Sequence, residues 1–113
     1  MSVENVPLFV VVDGSTASAA ELLAGALKAH KRADLVGQTT FGKNLIQKMV
    51  PVSQVPYGAI RLTWAKFYLH ETHDLSQKGG ITPTIAVEGR TSMGDPDQQL
   101  EVAMQRARNL TMR

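Results

Sequence analysis

The sequence contains no cysteine among its 113 residues. Disulfide bonds, thiolate nucleophiles and thiolate metal ligands are therefore excluded, although the redox compartment stays open. The chain also lacks an apolar stretch long enough to span a membrane, and residues 1–5 contain no basic segment ahead of an apolar one. We therefore predict neither a membrane-spanning helix nor a signal peptide in this chain.

The chain has few aromatic residues and a small net charge. Phe, Trp and Tyr make up 5% of the chain, and the formal net charge of +2 comes from basic residues that are scattered along the sequence. A nucleic-acid-binding surface needs a basic stripe with aromatic residues between the charges, so we predict no nucleic-acid partner. The hydrophobic content of 43% is enough for one domain with one core.

The first third of the chain predicts a parallel α/β unit. Residues 8–12 are all apolar, which is typical of a central strand covered on both faces. Apolar residues then recur at helical spacing over residues 17–30, and residues 33–36 form a second short strand that Gly37 closes. A strand, a helix and a strand in this order form a crossover with parallel strands.

The remaining elements are weaker in the sequence. We expect one strand around residues 49–50, a longer strand over residues 60–69, and a short edge strand over residues 84–87 that follows a proline. A helix is predicted over residues 95–111, with Asp95 as its N-cap and a proline at its first position.

The turn between the first strand and the first helix offers a candidate site. It contains three hydroxyls, on Ser15, Thr16 and Ser18, and the helix after it aims unpaired N–H groups at the turn. A bound phosphate, or the oxyanion formed when a hydroxyl attacks a carbonyl, would be stabilised there. The alternative is that these hydroxyls only cap the helix, as small polar residues at helix starts commonly do.

Two other features predict no site. The stretch His70-Glu-Thr-His73 spaces its histidines three residues apart instead of four and shows no helical pattern, so we predict no metal there, and no cofactor elsewhere. Gly25, inside the first helix, is interpreted as a close packing contact.

A second polar passage changes the interpretation of Ser18. The motifs Gly14-Ser-Thr-Ala17-Ser18-Ala19-Ala20-Glu21 and Phe41-Gly42-Lys43-Asn-Leu-Ile-Gln47 stand 25 residues apart, counted from Ser18 to Lys43. In these motifs and this spacing the chain resembles the C-terminal processing peptidases, the tail-specific serine proteases of the S41 group. The segment from Leu62-Thr63 to Tyr68 and then Gln77-Lys-Gly-Gly-Ile-Thr-Pro83 is similar to a later part of that family. The resemblance covers residues 6–88, and the helix over residues 95–111 is compatible with it.

The departures from the family pattern are few. Ala20 replaces a second serine, Thr84 stands where aspartate is common, and residues 69–75 lack the family's Pro-Ser-Gly-Arg. None of them removes a residue to which the resemblance assigns chemistry.

The resemblance implies a parallel-sheet α/β core of the crotonase and Clp-protease type, present here in part, and a Ser–Lys mechanism. Ser18 would be the nucleophile and the backbone N–H of Ala19 an oxyanion donor. Neither motif contains histidine, so Lys43 is the available base. A lysine must be neutral to accept a proton. Gln47 can hold the lysine nitrogen without adding a negative charge, which would favour the protonated form. Because four extended residues span about 13 Å, Lys43 and Gln47 need a bend near Gly42 to meet.

The resemblance also implies the setting in which these residues act. Residues 1–113 would be the C-terminal part of the protease core, and the family carries its second oxyanion donor and its PDZ domain upstream of this region. We therefore expect the chain to be inactive alone, and its exposed apolar surface to favour self-association into a homo-oligomer. The implied substrate is a polypeptide with an unstructured C-terminus, outside the cytoplasm, in the periplasm or cell envelope. The alternatives are a non-catalytic relative that binds a peptide or an anion, and a structural α/β fragment.

Overall fold

The computed structural model describes residues 5–53, 56–69, 79–90 and 92–111. Within these ranges the chain forms five strands and two helices. In chain order they are β1 (Phe9–Val12), α1 (Ala19–Ala29), β2 (Asp34–Gly37), β3 (Leu45–Pro51), β4 (Ala59–Lys66), β5 (Ile85–Ala86) and α2 (Gln98–Thr111). In the described ranges neither helix is long and apolar enough to cross a lipid bilayer.

Three strands form a parallel sheet in the order β1-β2-β5. Val10 pairs with Leu35 and Val36 pairs with Ile85, and α1 connects the first two strands. The predicted parallel crossover is therefore confirmed, and so is the edge position of β5. The fold is α/β.

The core lies between this sheet and α1. Its buried residues come from β1, α1, β2 and two loops: Val12, Ala24, Leu35, Leu69 and Ile81. Gly25 is buried against Leu69 and Ile81, and a Cβ at this position would overlap the Leu69 side chain. The interpretation of Gly25 as a close packing contact is confirmed. Helix α2 packs near β1 and β2 and buries Ala103 and Gln99, whose amide donates to the Val87 carbonyl at 3.1 Å.

Strands β3 and β4 form an antiparallel hairpin that lies apart from the parallel sheet. Gln47 pairs with Thr63 and Ile46 pairs with Ala65, so that Trp64 is an extra residue and makes a β-bulge. Nearly all residues of the hairpin are exposed, and the molecule measures 63 × 38 × 33 Å. The sequence predicted these strands without predicting that they pair with each other.

Three predicted boundaries or positions are wrong. Helix α1 begins at Ala19 and not at residue 17, because Ser18 has a positive φ that no helix accommodates. Strand β4 ends at Lys66 because Phe67 and Leu69 turn into the core. Strand β1, predicted as a central strand covered on both faces, stands at the edge of the described sheet, and its cover is incomplete: Val12 is buried, whereas Val11 is 40% exposed.

The N-cap of α2 also differs from its prediction. Helix α2 begins at Gln98, and Asp97 caps it by accepting a hydrogen bond from the Leu100 N–H at 3.1 Å. Asp95 instead accepts the N–H of Ser92 at 2.9 Å and closes the preceding turn.

Candidate active site

The turn after β1 is held by one carboxylate. Asp13 Oδ1 accepts the N–H groups of Ser15 and Thr16 at 2.8 and 3.1 Å, and the Asp13 N–H donates to Thr16 Oγ1 at 3.0 Å. This Asx turn is a common local structure for Asp before small residues. The Thr16 hydroxyl is thus used in the turn, which leaves Ser15 and Ser18 as the candidate nucleophiles.

Ser18 occupies a strained backbone conformation directly before α1. Its φ of 56° and ψ of −120° lie in a region that serine rarely adopts. Strain of this kind persists only where the surrounding structure holds it, and it is common at functional sites. The residue is half-buried, and its carbonyl accepts the N–H of Leu22 at 3.1 Å at the start of the helix.

The buried carboxylate of Glu21 holds this strained residue. Oε2 accepts the backbone N–H groups of Ser18 and Lys43, each at 2.8 Å. Oε1 accepts the hydroxyl of Thr40 and the N–H of Gly42, each at 2.6 Å. One fully buried side chain therefore joins the turn of the first motif to the loop of the second. Hydrogen bonds to a charged acceptor contribute about 1.5–3 kcal/mol each, so this cluster is a strong local constraint.

The sequence reasoning missed this role of Glu21. The available signal was its place three residues after Ser18, the spacing at which a glutamate reaches back to the N-cap N–H. Its contacts with the loop of the second motif follow from the fold and have no sequence pattern of their own.

A third segment, residues 80–81, is hydrogen-bonded to the loop that contains Thr40. The Thr40 N–H donates to the Ile81 carbonyl at 3.1 Å, and the Ile81 N–H donates to the Thr40 hydroxyl at 2.7 Å. Gly80 has a φ of +102°, and a Cβ there would overlap the Thr40 carbonyl. Phe41 also donates its N–H to the Thr16 carbonyl at 2.9 Å. The loop over residues 38–44 is thus tied to both the nucleophile turn and the segment before β5.

Lys43 and Gln47 are in contact. Lys43 Nζ lies 3.4 Å from Gln47 Oε1, and the Gln47 amide nitrogen donates to Thr63 Oγ1 at 3.2 Å. Gly42 has a φ of +93°, so the chain turns directly before Lys43, and β3 begins at Leu45. This turn precedes Lys43 and therefore does not itself shorten the segment between Lys43 and Gln47. Lys43 is half-buried, whereas Gln47 is exposed.

The backbones of Ser18 and Lys43 come together at the start of α1, and the Lys43 side chain contacts the Gln47 amide. Glu21 Oε2 accepts the N–H groups of Ser18 and Lys43 at 2.8 Å each, so the two backbone nitrogens lie no more than twice 2.8 Å apart. Ala19 follows at the first position of α1, where N–H groups have no partner within the helix. A hydroxyl, an amine and an N–H donor, carried here by neighbouring backbone segments, are the groups that acyl transfer requires.

The described ranges contain no group of three or more His, Cys, Asp or Glu side chains that could hold a metal ion. The stretch from His70 to His73, for which the sequence predicts no metal, lies outside the described residues.

The comparisons with known proteins define the class and the family. The fold is that of part of an α/β protease core: it matches the solved photosystem II D1 C-terminal processing protease with a TM-score of 0.62 and 40% identity, over 73% of this chain and 20% of that one. The model of peptidase family S41 matches residues 2–87, so the chain belongs to this family. The resemblance seen in the sequence is confirmed.

Several curated relatives are proteases. The chain is 43% identical over 82 residues to the carboxy-terminal-processing protease of Bartonella bacilliformis, covering 73% of this chain and 18% of the relative. It is 49% identical over 83 residues to the carboxyl-terminal-processing protease of Synechocystis sp., with the same two coverages. For the protease CtpB of Bacillus subtilis the identity is 43%, over 73% of this chain and 16% of the relative. The chain therefore spans less than a fifth of the length of these relatives.

Proposed function

We propose that residues 1–113 act as the C-terminal part of the core of a serine endopeptidase that cleaves polypeptides near their C-termini. Ser18 is the nucleophile and Lys43 the general base. The observation that carries the proposal is the buried Glu21 carboxylate, which accepts the backbone N–H groups of both residues at 2.8 Å. The names of the relatives, which describe carboxy-terminal processing, support the reaction class.

In the proposed mechanism the neutral amine of Lys43 takes the proton of the Ser18 hydroxyl while Oγ attacks the scissile carbonyl carbon. The negative charge moves to the carbonyl oxygen, and the Ala19 N–H stabilises it. The intermediate collapses to an acyl-enzyme when the Lys43 ammonium gives its proton to the leaving amine. Water, activated by the same lysine, then hydrolyses the ester and restores Ser18.

Gln47 serves the base in this scheme. Its amide oxygen accepts a hydrogen bond from Nζ and limits the directions that the long lysine side chain can take. A neutral partner suits a base, because a carboxylate at this place would favour the protonated lysine.

The chain acts, in this proposal, within a parent protease, by which we mean a polypeptide of the relatives' length that contains residues 1–113. The parent supplies the second oxyanion donor and a PDZ domain that captures the substrate tail, as the family resemblance implies. Its substrate is a polypeptide with an unstructured C-terminus, and its location is outside the cytoplasm. The half-exposed β1 favours association of copies through this edge.

The test is cleavage of a peptide with an unstructured C-terminus by the parent protease. Ser18→Ala should abolish cleavage and leave the thermal unfolding temperature unchanged, whereas Ser15→Ala, in the same turn, should retain cleavage. Loss of activity in Ser15→Ala alone would assign the nucleophile to Ser15. A parent that binds the peptide but does not cleave it would support the non-catalytic alternative.

A further inference from the structure

We infer that Thr63 is a positioning residue for the base: its hydroxyl fixes which end of the Gln47 amide faces Lys43. This inference rests on the proposed function. Gln47 Nε2 donates to Thr63 Oγ1 at 3.2 Å, and Gln47 Oε1 lies 3.4 Å from Lys43 Nζ. The three side chains thus form a chain of two hydrogen bonds that begins at the proposed base and ends on the second strand of the hairpin.

The orientation of the amide matters for the chemistry. A neutral lysine amine has N–H donors and one lone pair, and the lone pair must receive the serine proton. When the amide oxygen faces Nζ, the amine donates to it and keeps the lone pair available. When the amide is reversed, its NH₂ group donates to the lone pair and competes with Ser18 for it. A hydroxyl that accepts from Nε2 therefore favours the productive orientation.

Packing alone does not hold the Gln47 amide in this orientation. Every residue of β3 is exposed, Gln47 included, so the side chain has little steric restraint. Strand pairing instead places the Thr63 hydroxyl within reach of the amide, because Gln47 and Thr63 stand directly opposite in the antiparallel register. The bulge at Trp64 follows immediately, and the register changes between Gln47 and Ile46, on the side of the hairpin toward Lys43.

The experiment compares two substitutions of Thr63 in the parent protease. Thr63→Val keeps the branched shape and removes the hydroxyl, and Thr63→Ser keeps the hydroxyl. For Thr63→Val we expect kcat to fall about 2- to 10-fold, the effect of one hydrogen bond, with KM unchanged. Thr63→Ser should keep kcat close to that of the unsubstituted protein. Thr82→Val, which removes an exposed threonine hydroxyl in the loop before β5, is the control and should leave kcat unchanged.

A double substitution separates positioning from a general effect on the hairpin. In a Gln47→Ala background, Thr63→Val should cause no further loss of kcat, because the amide that it orients is gone. The inference is overturned if Thr63→Val has the same kcat as the unsubstituted protein, or if Thr63→Ser loses as much kcat as Thr63→Val. It is also overturned if the losses from Thr63→Val and Gln47→Ala add up in the double substitution. These outcomes are compared in a parent protease whose cleavage is abolished by Ser18→Ala. Cleavage that survives Ser18→Ala would instead refute the proposed function.

Discussion

The backbone N–H groups of Ser18 and Lys43 donate to the same oxygen, Glu21 Oε2, at equal distances of 2.8 Å. The two residues belong to separate motifs, 25 residues apart in the chain. A single buried acceptor therefore sets the position of the proposed nucleophile relative to the proposed base. Any change that weakens this acceptor should affect stability and catalysis together.

Glu21→Gln tests this acceptor. The substitution replaces one of two accepting oxygens by an NH₂ group, so two of the four donors around it lose their partner and face another donor. We expect the free energy of unfolding to fall by about 2–5 kcal/mol, measured by urea denaturation. Glu101→Gln, on the exposed side of α2, is the matched control and should change it by less than about 0.5 kcal/mol. An equally small effect of Glu21→Gln would show that the carboxylate is not a structural acceptor.

Lys43→Arg should inactivate the parent protease although it keeps the positive charge. A guanidinium stays protonated at neutral pH and cannot take the serine proton. We expect cleavage of the peptide substrate to fall at least about 100-fold, the lower range for loss of a general base. Lys48→Arg, on the exposed β3 strand, should retain full activity. Substantial cleavage by Lys43→Arg would remove Lys43 from the role of base.

Gln47→Glu should change the pH dependence of cleavage. A carboxylate next to Lys43 Nζ favours the ammonium form, so a higher pH is needed to obtain the neutral amine. The rising limb of the plot of kcat/KM against pH should therefore move to higher pH. Gln105→Glu, exposed on α2, adds the same charge away from the site and should leave the limb in place. If the limb does not move in Gln47→Glu, Gln47 does not contact the base.

Gly25→Ala should destabilise the core. The new Cβ would overlap Leu69 and stand 3.0 Å from Ile81 Cδ1, and both neighbours are buried. Overpacking of this kind costs about 1–3 kcal/mol, which exceeds the gain in helix propensity of up to about 1 kcal/mol. Gly94→Ala adds a Cβ with no heavy atom within 4 Å and should be close to neutral in thermal unfolding. An increase in stability for Gly25→Ala would contradict the packing found here.

The features that the sequence predicted have local causes. The parallel crossover follows from an apolar run and a helical period within one short segment, and the contact of Lys43 with Gln47 joins side chains only four residues apart. The features that it missed depend on distant residues. The pairing of Gln47 with Thr63 is set by the hairpin register, and three of the four donors to Glu21 come from a loop about twenty residues later. Asp97 and Asp95 offer the same side chain two residues apart, and only the path of the chain decides which one caps α2.

The 113-residue chain alone should not cleave peptides, whatever Ser18 and Lys43 do in the parent protease. Strand β1 stands at the edge of the described sheet, and Val11 and Leu8 are 40% and 38% exposed, as expected of a strand that further structure covers in the parent. Loss of one oxyanion donor alone lowers the rate about 100- to 1,000-fold, even with nucleophile and base in place. The measurement is cleavage of a peptide with an unstructured C-terminus by the purified chain, alone and with the rest of the parent protease added in trans, while light scattering reports self-association. We expect cleavage only in the mixture, and none when the chain carries Ser18→Ala. Ser18-dependent cleavage by the chain alone would mean that these residues already contain both oxyanion donors.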